Sequence, residues 1–226
     1  MRRPALLAAT LAVAGVLAAC SSMPSGGGMG GSAARDMSFF VTSQGSGRGA
    51  DLGGLAGADR LCQSLASAAG STKTWRAYLS TQPTGGQPGG NARDRIGSGP
   101  WKNANGVVVA TSVADLHGPN NNLTKQTAVT EKAATLKGRG DDPNQHDVLT
   151  GSQPDGTWIS GEVDSTCGNW TKGGEGAAMV GHHDRMGLND SAPAKSWNSS
   201  HQSRGCSVEA LKTTGGDGRL YCFAVD

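Results

Sequence analysis

The spacing of apolar residues predicts a few short elements, of which one helix is the longest. Phe39–Val41 is an unbroken apolar run that predicts a short strand. Residues 52–70 place apolar side chains at the three- and four-residue spacing of a helix. The helix positions are Leu55, Ala58, Leu61, Cys62, Leu65 and Ala69. Gly70 predicts the end of this helix, because glycine readily adopts the left-handed conformation that follows a last helical turn.

Three further strands are predicted after the helix. Residues 75–79 (WRAYL) alternate apolar and more polar side chains, which is typical of a half-buried strand. Residues 106–111 (GVVVAT) and residues 220–225 (LYCFAV) are short apolar runs that also predict strands. The Gly- and Pro-rich residues 81–100 predict a long loop. The sequence contains no internal repeat.

Two long polar segments interrupt these elements. Residues 112–147 and residues 171–205 are polar and have little periodicity, so both are predicted to be loops. Loops of this length are uncommon inside a compact domain and often carry function. We therefore expect the loops, rather than the predicted helix and strands, to carry any activity.

The composition narrows the class of protein. The chain of 226 residues contains 36 glycines and only 17% charged residues, which suits one loop-rich domain with flexible ends. The formal charge is +2, and the first nineteen residues hold two arginines and no acid. Without these two of its 20 basic residues, the chain has 18 basic residues against 18 acidic ones. No basic stripe remains, so nucleic acid is not an expected partner.

The N-terminal residues MRRPALLAATLAVAGVLAAC predict an export signal. Two arginines precede a short apolar stretch and a run of small residues, which is the pattern of a signal peptide and not of a membrane span. Residues 17–20 (LAAC) resemble the lipobox of bacterial lipoproteins. The resemblance implies that residues 1–19 are a signal peptide and that the thiol of Cys20 is lipidated, for example with palmitate. The alternative is an ordinary signal peptide followed by a chance cysteine.

The residues after the signal predict a tether and then one domain. Residues 20–36 form the lipidated cysteine and a Gly/Ser-rich tether, and residues 37–226 form the folded domain. Neither Ser21 nor Ser22 is the aspartate that indicates retention at an inner membrane. We therefore expect a protein of the bacterial cell envelope, lipid-anchored at the outer membrane or cell surface, with the membrane as one partner.

Four cysteines remain once Cys20 is set aside. They are Cys62, Cys167, Cys206 and Cys222. An even number of cysteines in an exported domain predicts two disulfides. Three pairings are possible, and the spacing alone does not choose among them. Zinc binding is the rival interpretation, but the sequence has no C-x-x-C pair.

Several runs of residues resemble the endostatin domain of basement-membrane collagens. The runs are residues 57–62 (GADRLC), 75–80 (WRAYLS), 150–152 (TGS) with Gly156, 167–171 (CGNWT), Cys206 and 221–222 (YC). The same order, over roughly residues 38–226, also looks like a family of bacterial surface lipoproteins of uncharacterised function. Both resemblances imply an α+β fold of the C-type-lectin-like (endostatin-like) class, with long loops and two disulfides.

The resemblance also implies a disulfide pairing, Cys62–Cys222 and Cys167–Cys206. Endostatin's zinc site does not carry over, because it needs histidines at the start of the domain and none lies near Met37. Endostatin's heparin binding depends on a dense arginine patch, whereas the arginines here are scattered along the sequence. Neither property is therefore expected of this chain.

Residues 153–155 (QPD) match a sugar-binding triplet of calcium-dependent lectins and also a common turn sequence. In those lectins the triplet supplies oxygen ligands to Ca²⁺, and the ion then holds two sugar hydroxyls. The partner triplet Trp-Asn-Asp is matched here only by residues 197–199 (WNS), in which serine replaces the acid. A turn is the favoured interpretation, because Pro, Asp and Gly in this order suit a tight bend.

The sugar hypothesis nevertheless defines a set of candidate residues. The candidate ligand-binding residues are Gln153, Asp155, Trp158, Trp197 and Asn198. The candidate calcium ligands are Gln153, Asp155, Glu162 and Asn198. Calcium is the one cofactor that the sequence suggests, and on the favoured turn interpretation no cofactor is expected.

Four further residues are candidate metal ligands. They are His182, His183, Asp184 and His201. Adjacent histidines usually point apart, and no i, i+4 histidine pair is present, so solvated loop residues are the favoured interpretation. Residues 139–141 (RGD) spell an integrin-type adhesion triplet, which Gly-rich sequences also produce by chance.

The sequence favours a binding protein over an enzyme. It has neither a G-x-S-x-G elbow nor a phosphate-binding loop, and the pair Glu162 and Asp164 is an unspecific hydrolytic candidate. Trp75 and Trp170 are expected in the core. We expect a lipid-anchored, non-enzymatic binding module for a glycan or an extracellular matrix-type protein. The alternative is a structural envelope lipoprotein with no small-ligand site.

Overall fold

The computed structural model describes Met1 and residues 36–226. Apart from Met1, the predicted signal peptide, the lipobox Cys20 and the tether up to residue 35 lie outside the described residues. In the part of the chain that is described, no helix has the length and apolar character needed to cross a bilayer.

The described chain forms eight short strands and four helices. The strands are β1 (Phe39–Val41), β2 (Trp75–Ala77), β3 (Trp101–Lys102), β4 (Val108–Ala110), β5 (Asp147–Leu149), β6 (Met179–His182), β7 (His201–Gln202) and β8 (Gly216–Ala224). The helices are α1 (Gly54–Ala68), α2 (Val113–Leu116), α3 (Cys167–Trp170) and α4 (Val208–Lys212). Short 3₁₀ turns cover Ala92–Asp94 and Pro193–Lys195.

Strand β8 is the centre of the main sheet. Cys222 in β8 pairs with Phe40 of β1 on one edge and with Ala77 of β2 on the other. Nearer its start, β8 also pairs with β5 in parallel, so that Leu149 lies opposite Leu220. Strands β6 and β7 extend the sheet beyond β5, while β3 and β4 form a separate hairpin. The mixed sheet and helix α1 confirm the predicted α+β class.

Both faces of the sheet are covered by buried side chains. In β1, Phe39 and Val41 belong to one core cluster, whereas Phe40 belongs to the other. This alternation follows from the two-residue period of a strand. Helix α1 packs on the second face, where it buries Ala58, Cys62 and Ala66. Trp75 and Trp170 are also buried on that face, as predicted.

Two disulfides join distant parts of the domain. Cys62 of α1 is bonded to Cys222 of β8, across 160 residues of sequence. Cys167 is bonded to Cys206, across 39 residues. The pairing that the endostatin resemblance implied is therefore confirmed. The longer bridge fastens α1 directly to the central strand of the sheet.

Part of the loop prediction is wrong. Residues 171–205 contain β6 and β7, and residues 112–147 contain α2. Strands of two to four residues are too short to show a two-residue period, so their pairing partners rather than their own pattern create them. Strand β5, which begins at the end of residues 112–147, is not predicted from the sequence for the same reason. This omission matters because β5, β6 and β7 together carry the candidate site.

Candidate functional site

A cavity of about 1000 Å³ opens beside the β5, β6 and β7 edge of the sheet. His146, His182 and His201 contribute to its lining, and the first two are almost completely buried. Cationic side chains line its more exposed parts, which are those of Arg139, Arg204 and Lys212. Buried imidazoles thus lie at the inner side of an open cavity whose lining combines polar and apolar surface.

Strand pairing brings the imidazoles together around one carboxylate. Asp147 is the first residue of β5 and lies directly opposite His182 of β6. His201 is the first residue of β7, which pairs with β6 on its other edge. His146 immediately precedes β5. The cluster therefore combines three segments of sequence through the register of three adjacent strands.

The three imidazoles converge on a single oxygen of Asp147. The Nε2 atoms of His146, His182 and His201 lie 3.2, 3.3 and 3.6 Å from Asp147 Oδ1. Despite these distances, neither Oδ1, Oδ2 nor His182 Nε2 has a hydrogen-bond partner among the described residues. Burial raises the pKa of Asp147, but the His182 and His201 imidazoles, which donate Nε2–H toward it when doubly protonated, lower it by more, so its net pKa is below the ordinary aspartate value.

The opposite nitrogen of each imidazole is already engaged. Nδ1 of His182 lies 2.8 Å from the carbonyl oxygen of Ala194, and Nδ1 of His201 lies 3.1 Å from that of Gln202. A carbonyl oxygen only accepts hydrogen bonds, so both Nδ1 atoms are donors. In the neutral rings the proton is then on Nδ1, and the lone pair of Nε2 faces the cluster.

Asp184 orients the third imidazole. Its Oδ1 accepts a hydrogen bond from Nδ1 of His146 at 3.3 Å, and its carboxylate also accepts from the backbone N–H groups of Arg139 and Met186. Burial raises the pKa of Asp184, but these hydrogen bonds lower it far more, and its net pKa is well below the ordinary value. Asp184 is therefore an ionised acceptor that fixes the His146 ring.

The prediction of solvated loop residues is wrong for three of the four candidate metal ligands. His182, His183 and Asp184 are buried, because β6 runs inward between β5 and β7. Only His201 is partly exposed. His182 and His183 do point apart, since Nε2 of His183 bonds the Lys137 carbonyl instead of joining the cluster.

The sequence does not predict two members of the cluster, His146 and Asp147. The available signal was a charged residue directly before the apolar pair Val148 and Leu149, at the start of what proves to be a buried strand. A buried acid requires compensation, and candidate partners for it were already visible as His182 and His201.

Residues 153–155 form a tight turn in the structure. The N–H of Gly156 donates to the carbonyl oxygen of Gln153 at 2.9 Å, and Gly156 has a φ of 82°. Asp155 Oδ1 accepts hydrogen bonds from the Thr157 hydroxyl and backbone N–H at 2.6 and 3.0 Å, which lower the pKa of Asp155. Local hydrogen bonds of this kind are typical of a Pro-Asp-Gly turn and need no bound ligand.

Trp197 and Asn198 are buried behind this turn. Asn198 Nδ2 donates to the Tyr78 hydroxyl at 2.9 Å and contacts the carbonyl oxygens of Gln153 and Pro154 at 3.1 Å. Trp197 and Asn198 also line a smaller cavity of about 320 Å³. The structure thus brings Gln153 and Asn198 together, and Asn198 uses its amide to hold the turn.

The remaining candidate residues lie elsewhere. Trp158 is partly buried, and its backbone N–H donates to Asn91 Oδ1 at 3.0 Å. Glu162 is exposed, and its carboxylate makes no hydrogen bond or ion pair with any described residue. In the RGD triplet, the Asp141 carboxylate pairs with Lys125 and bonds the Gly138 N–H. The calcium hypothesis for Gln153, Asp155, Glu162 and Asn198 stays a prediction.

Asp164 stabilises an unusual backbone turn. Its carboxylate accepts hydrogen bonds from the N–H groups of Thr166 and Gly168 at 3.0 and 2.8 Å. These bonds hold the start of α3, whose residues all have positive φ. Burial raises the pKa of Asp164, but the hydrogen bonds lower it by more, so that the net pKa is below 3.8.

Replacing Asp164 with asparagine is expected to lower the free energy of unfolding by about 1–2 kcal/mol near neutral pH. The carboxylate stabilises the folded state fully above its unfolded pKa of 3.8, and this contribution is lost as the pH falls through the lower folded-state pKa. Urea unfolding at several pH values should therefore show the two proteins converging in acid. Glu162→Gln, which removes an exposed carboxylate, is the control. A pH-independent difference would contradict the assignment.

Comparison of the sequence with protein-family models and with curated proteins finds no match in either set.

Proposed function

We propose that this protein is a lipid-anchored binding module, displayed at the bacterial surface, that takes an acidic glycan into the cavity beside the histidine cluster. The observation that carries the proposal is the open cavity of about 1000 Å³, whose lining includes three cationic side chains together with amide and hydroxyl groups. A volume of this order suits a ligand larger than a single ion. The lipobox and the C-type-lectin-like resemblance support the anchor and the class of ligand.

The lining of the cavity favours a ligand with many hydroxyl groups. Side chains that both donate and accept hydrogen bonds, or that carry amides, are frequent there. They include Asn144, Gln145, Asn189, Ser191, Ser200 and Thr213. A glycan offers alternating hydroxyl donors and acceptors, so it satisfies such a surface without requiring one fixed polarity.

The charges of the cavity favour an acidic glycan. Arg139, Arg204 and Lys212 face it, and none of the three forms an ion pair with a described residue. Of the two acids in the lining, Asp217 is paired with Arg219 at 3.5 Å, which leaves Asp142 as the opposing charge. Although these cations are scattered along the sequence, they line one cavity, where carboxylate or sulfate groups on a sugar would balance the excess of positive charge.

The test is a glycan array that compares acidic with neutral glycans. The sample is the full chain carrying Cys20→Ser, which we expect to remain soluble when membranes are sedimented; co-sedimentation would contradict the lipid anchor. The protein with its native cavity residues should bind acidic glycans more strongly than neutral ones. Arg204→Ala with Lys212→Ala should weaken that binding by about tenfold or more, the equivalent of about 1.4 kcal/mol.

A matched pair of substitutions controls for net charge. Arg60 and Lys132 are exposed cations outside the cavity, and neither forms an ion pair with a described residue. Arg60→Ala with Lys132→Ala should leave glycan binding unchanged. Equal losses in the two double variants would exclude the cavity as the site. Binding to no glycan at all would favour the alternative of a structural envelope lipoprotein.

A further inference from the structure

His146, Asp147 and His182 have ligand atoms close enough together to hold a single metal ion, and His201 Nε2 lies 3.6 Å from the Asp147 oxygen at their centre. Ligand atoms that lie about 2.0–2.1 Å from a tetrahedral zinc ion are about 3.3–3.4 Å from one another. The Nε2 atoms of His146, His182 and His201 are 3.2, 3.3 and 3.6 Å from Asp147 Oδ1. The ligand atoms of His146, Asp147 and His182 all lie within 4.8 Å of one another.

We propose that His146, Asp147, His182 and His201 bind one divalent transition-metal ion of the zinc class. The three imidazoles ligate through Nε2, and the Asp147 carboxylate supplies the fourth ligand. This inference goes beyond the glycan proposal and does not depend on it, because ion binding is measured with no glycan present.

Burial makes a shared cation the simplest partner for this cluster. Asp147 is 2% exposed and His182 is 3% exposed. Both oxygens of Asp147 and Nε2 of His182 have no hydrogen-bond partner among the described residues. Buried polar atoms are costly when they are unpaired, and buried charges are usually paired or coordinate a metal. One ion would be ligated by His182 Nε2 and by an oxygen of Asp147, and would balance the charge of that carboxylate.

The contacts behind the imidazoles are those of metal-binding histidines. Such a histidine almost always donates its second N–H to a carboxylate, a backbone carbonyl or water, which fixes the ring and its tautomer. Here Nδ1 of His146 contacts the Asp184 carboxylate, while those of His182 and His201 contact backbone carbonyls. All three rings therefore present an unprotonated Nε2 to Asp147 in their neutral form.

The donor set selects the class of ion. Imidazole nitrogen suits zinc, copper, nickel and cobalt, whereas calcium and magnesium require oxygen ligands. Three imidazoles and one carboxylate form a borderline set with no thiolate, since the four cysteines of the described chain are in disulfides. Zinc is the probe of choice, and calcium is the matched ion that should not bind.

Binding requires a small rearrangement of two rings. His146 and His182 stack with centroids 4.0 Å apart and planes 12° apart. Rings this nearly parallel do not direct both lone pairs at one point, so each must turn about its Cβ–Cγ bond when the ion binds. The turn leaves the backbone of β5 and β6 in place. Loss of the stacked arrangement is thus a structural signature of the bound state.

The cavity supplies a route for the ion. The His201 side chain is 37% exposed and lines the cavity together with His146 and His182. An ion entering from solvent reaches His201 first and then the buried members of the cluster. His201 is also the ligand whose replacement disturbs the fold least, because the other three side chains are buried.

The test is calorimetric titration of ZnCl₂ into the full chain carrying Cys20→Ser, in parallel with CaCl₂. We expect one zinc ion per chain and no calcium binding. His201→Gln should weaken zinc binding by about 10–100-fold or more. Losses of that size follow even when only a residue that hydrogen-bonds a metal ligand is replaced. Asp147→Asn should weaken it at least as much. Circular dichroism of each variant verifies that it is folded.

His117→Gln is the control variant. His117 is a partly buried histidine that lines the other cavity, where its Nε2 lies 2.7 Å from the Tyr78 hydroxyl. Its replacement should leave zinc affinity unchanged, and ring-proton NMR should show zinc shifting His146 and His182 but not His117. Absence of zinc binding, binding unaffected by His201→Gln, or equal loss in His117→Gln would each overturn the proposal.

Discussion

Gly181→Ala is expected to lower the free energy of unfolding by about 3 kcal/mol or more. A Cβ atom at Gly181 would lie less than 3.0 Å from the carbonyl group of Trp197 and from Cα of Asn198. All of these are backbone atoms, so no side-chain rotation relieves the overlap. The backbone bonds from Ser200 N to Val180 O and from His182 N to Ser196 O hold the two segments together at this point.

Thermal unfolding followed by circular dichroism measures this effect. A loss of about 3 kcal/mol corresponds to a fall of about 6–12 °C in Tm for a domain of this size. Gly174→Ala is the matched control, because a Cβ there meets no atom within 4 Å and Gly174 does not have a positive φ. The control should stay within about 0.5 kcal/mol of wild type. Equal melting of Gly181→Ala and wild type would show that β6 separates easily from residues 197–198.

Removal of the Cys62–Cys222 bridge is expected to destabilise the protein more than removal of Cys167–Cys206. The bridges close loops of 160 and 39 residues, respectively. A longer closed loop restricts the unfolded chain more, and the chain-entropy relation gives about 5 kcal/mol for the first bridge and about 4 kcal/mol for the second. Measured losses of roughly 2–5 kcal/mol are typical.

The comparison uses two double variants, Cys62→Ala with Cys222→Ala and Cys167→Ala with Cys206→Ala. All four cysteines are fully buried, so the two variants create comparable apolar gaps and leave no free thiol in the domain. Urea unfolding should rank the first variant as less stable by about 1 kcal/mol. The reverse order would show that native-state packing around the bridges, rather than loop length, determines their contributions.

The sequence predicts the elements whose apolar pattern is long enough to be recognised. Helix α1 spans four turns and buries Ala58, Cys62 and Ala66 at the expected spacing. Gly70 follows it with a φ of 92°, as a helix-ending glycine should. The apolar runs at β1 and β8 are likewise confirmed, because each belongs to the buried centre of the sheet.

The candidate site was only partly predictable, for a physical reason. His182 and His201 were visible as potential metal ligands, but their burial depends on β6 pairing with β5, which lies more than thirty residues earlier in the sequence. Asp147 has no local pattern that marks it, because β5 is only three residues long. The register of three short strands, which no local spacing reveals, brings these groups together.

The position of β8 in the chain has a consequence for biogenesis. Strands β1, β2 and β5 all precede β8, and each pairs with it. Phe39, for example, meets its partner Phe223 only after nearly the whole domain has been synthesised. Such distant pairings slow folding, since a large loop must close before they form. A nascent chain of this kind lacks the central strand of its main sheet until residues 216–224 emerge, so that sheet closes only at the end of synthesis.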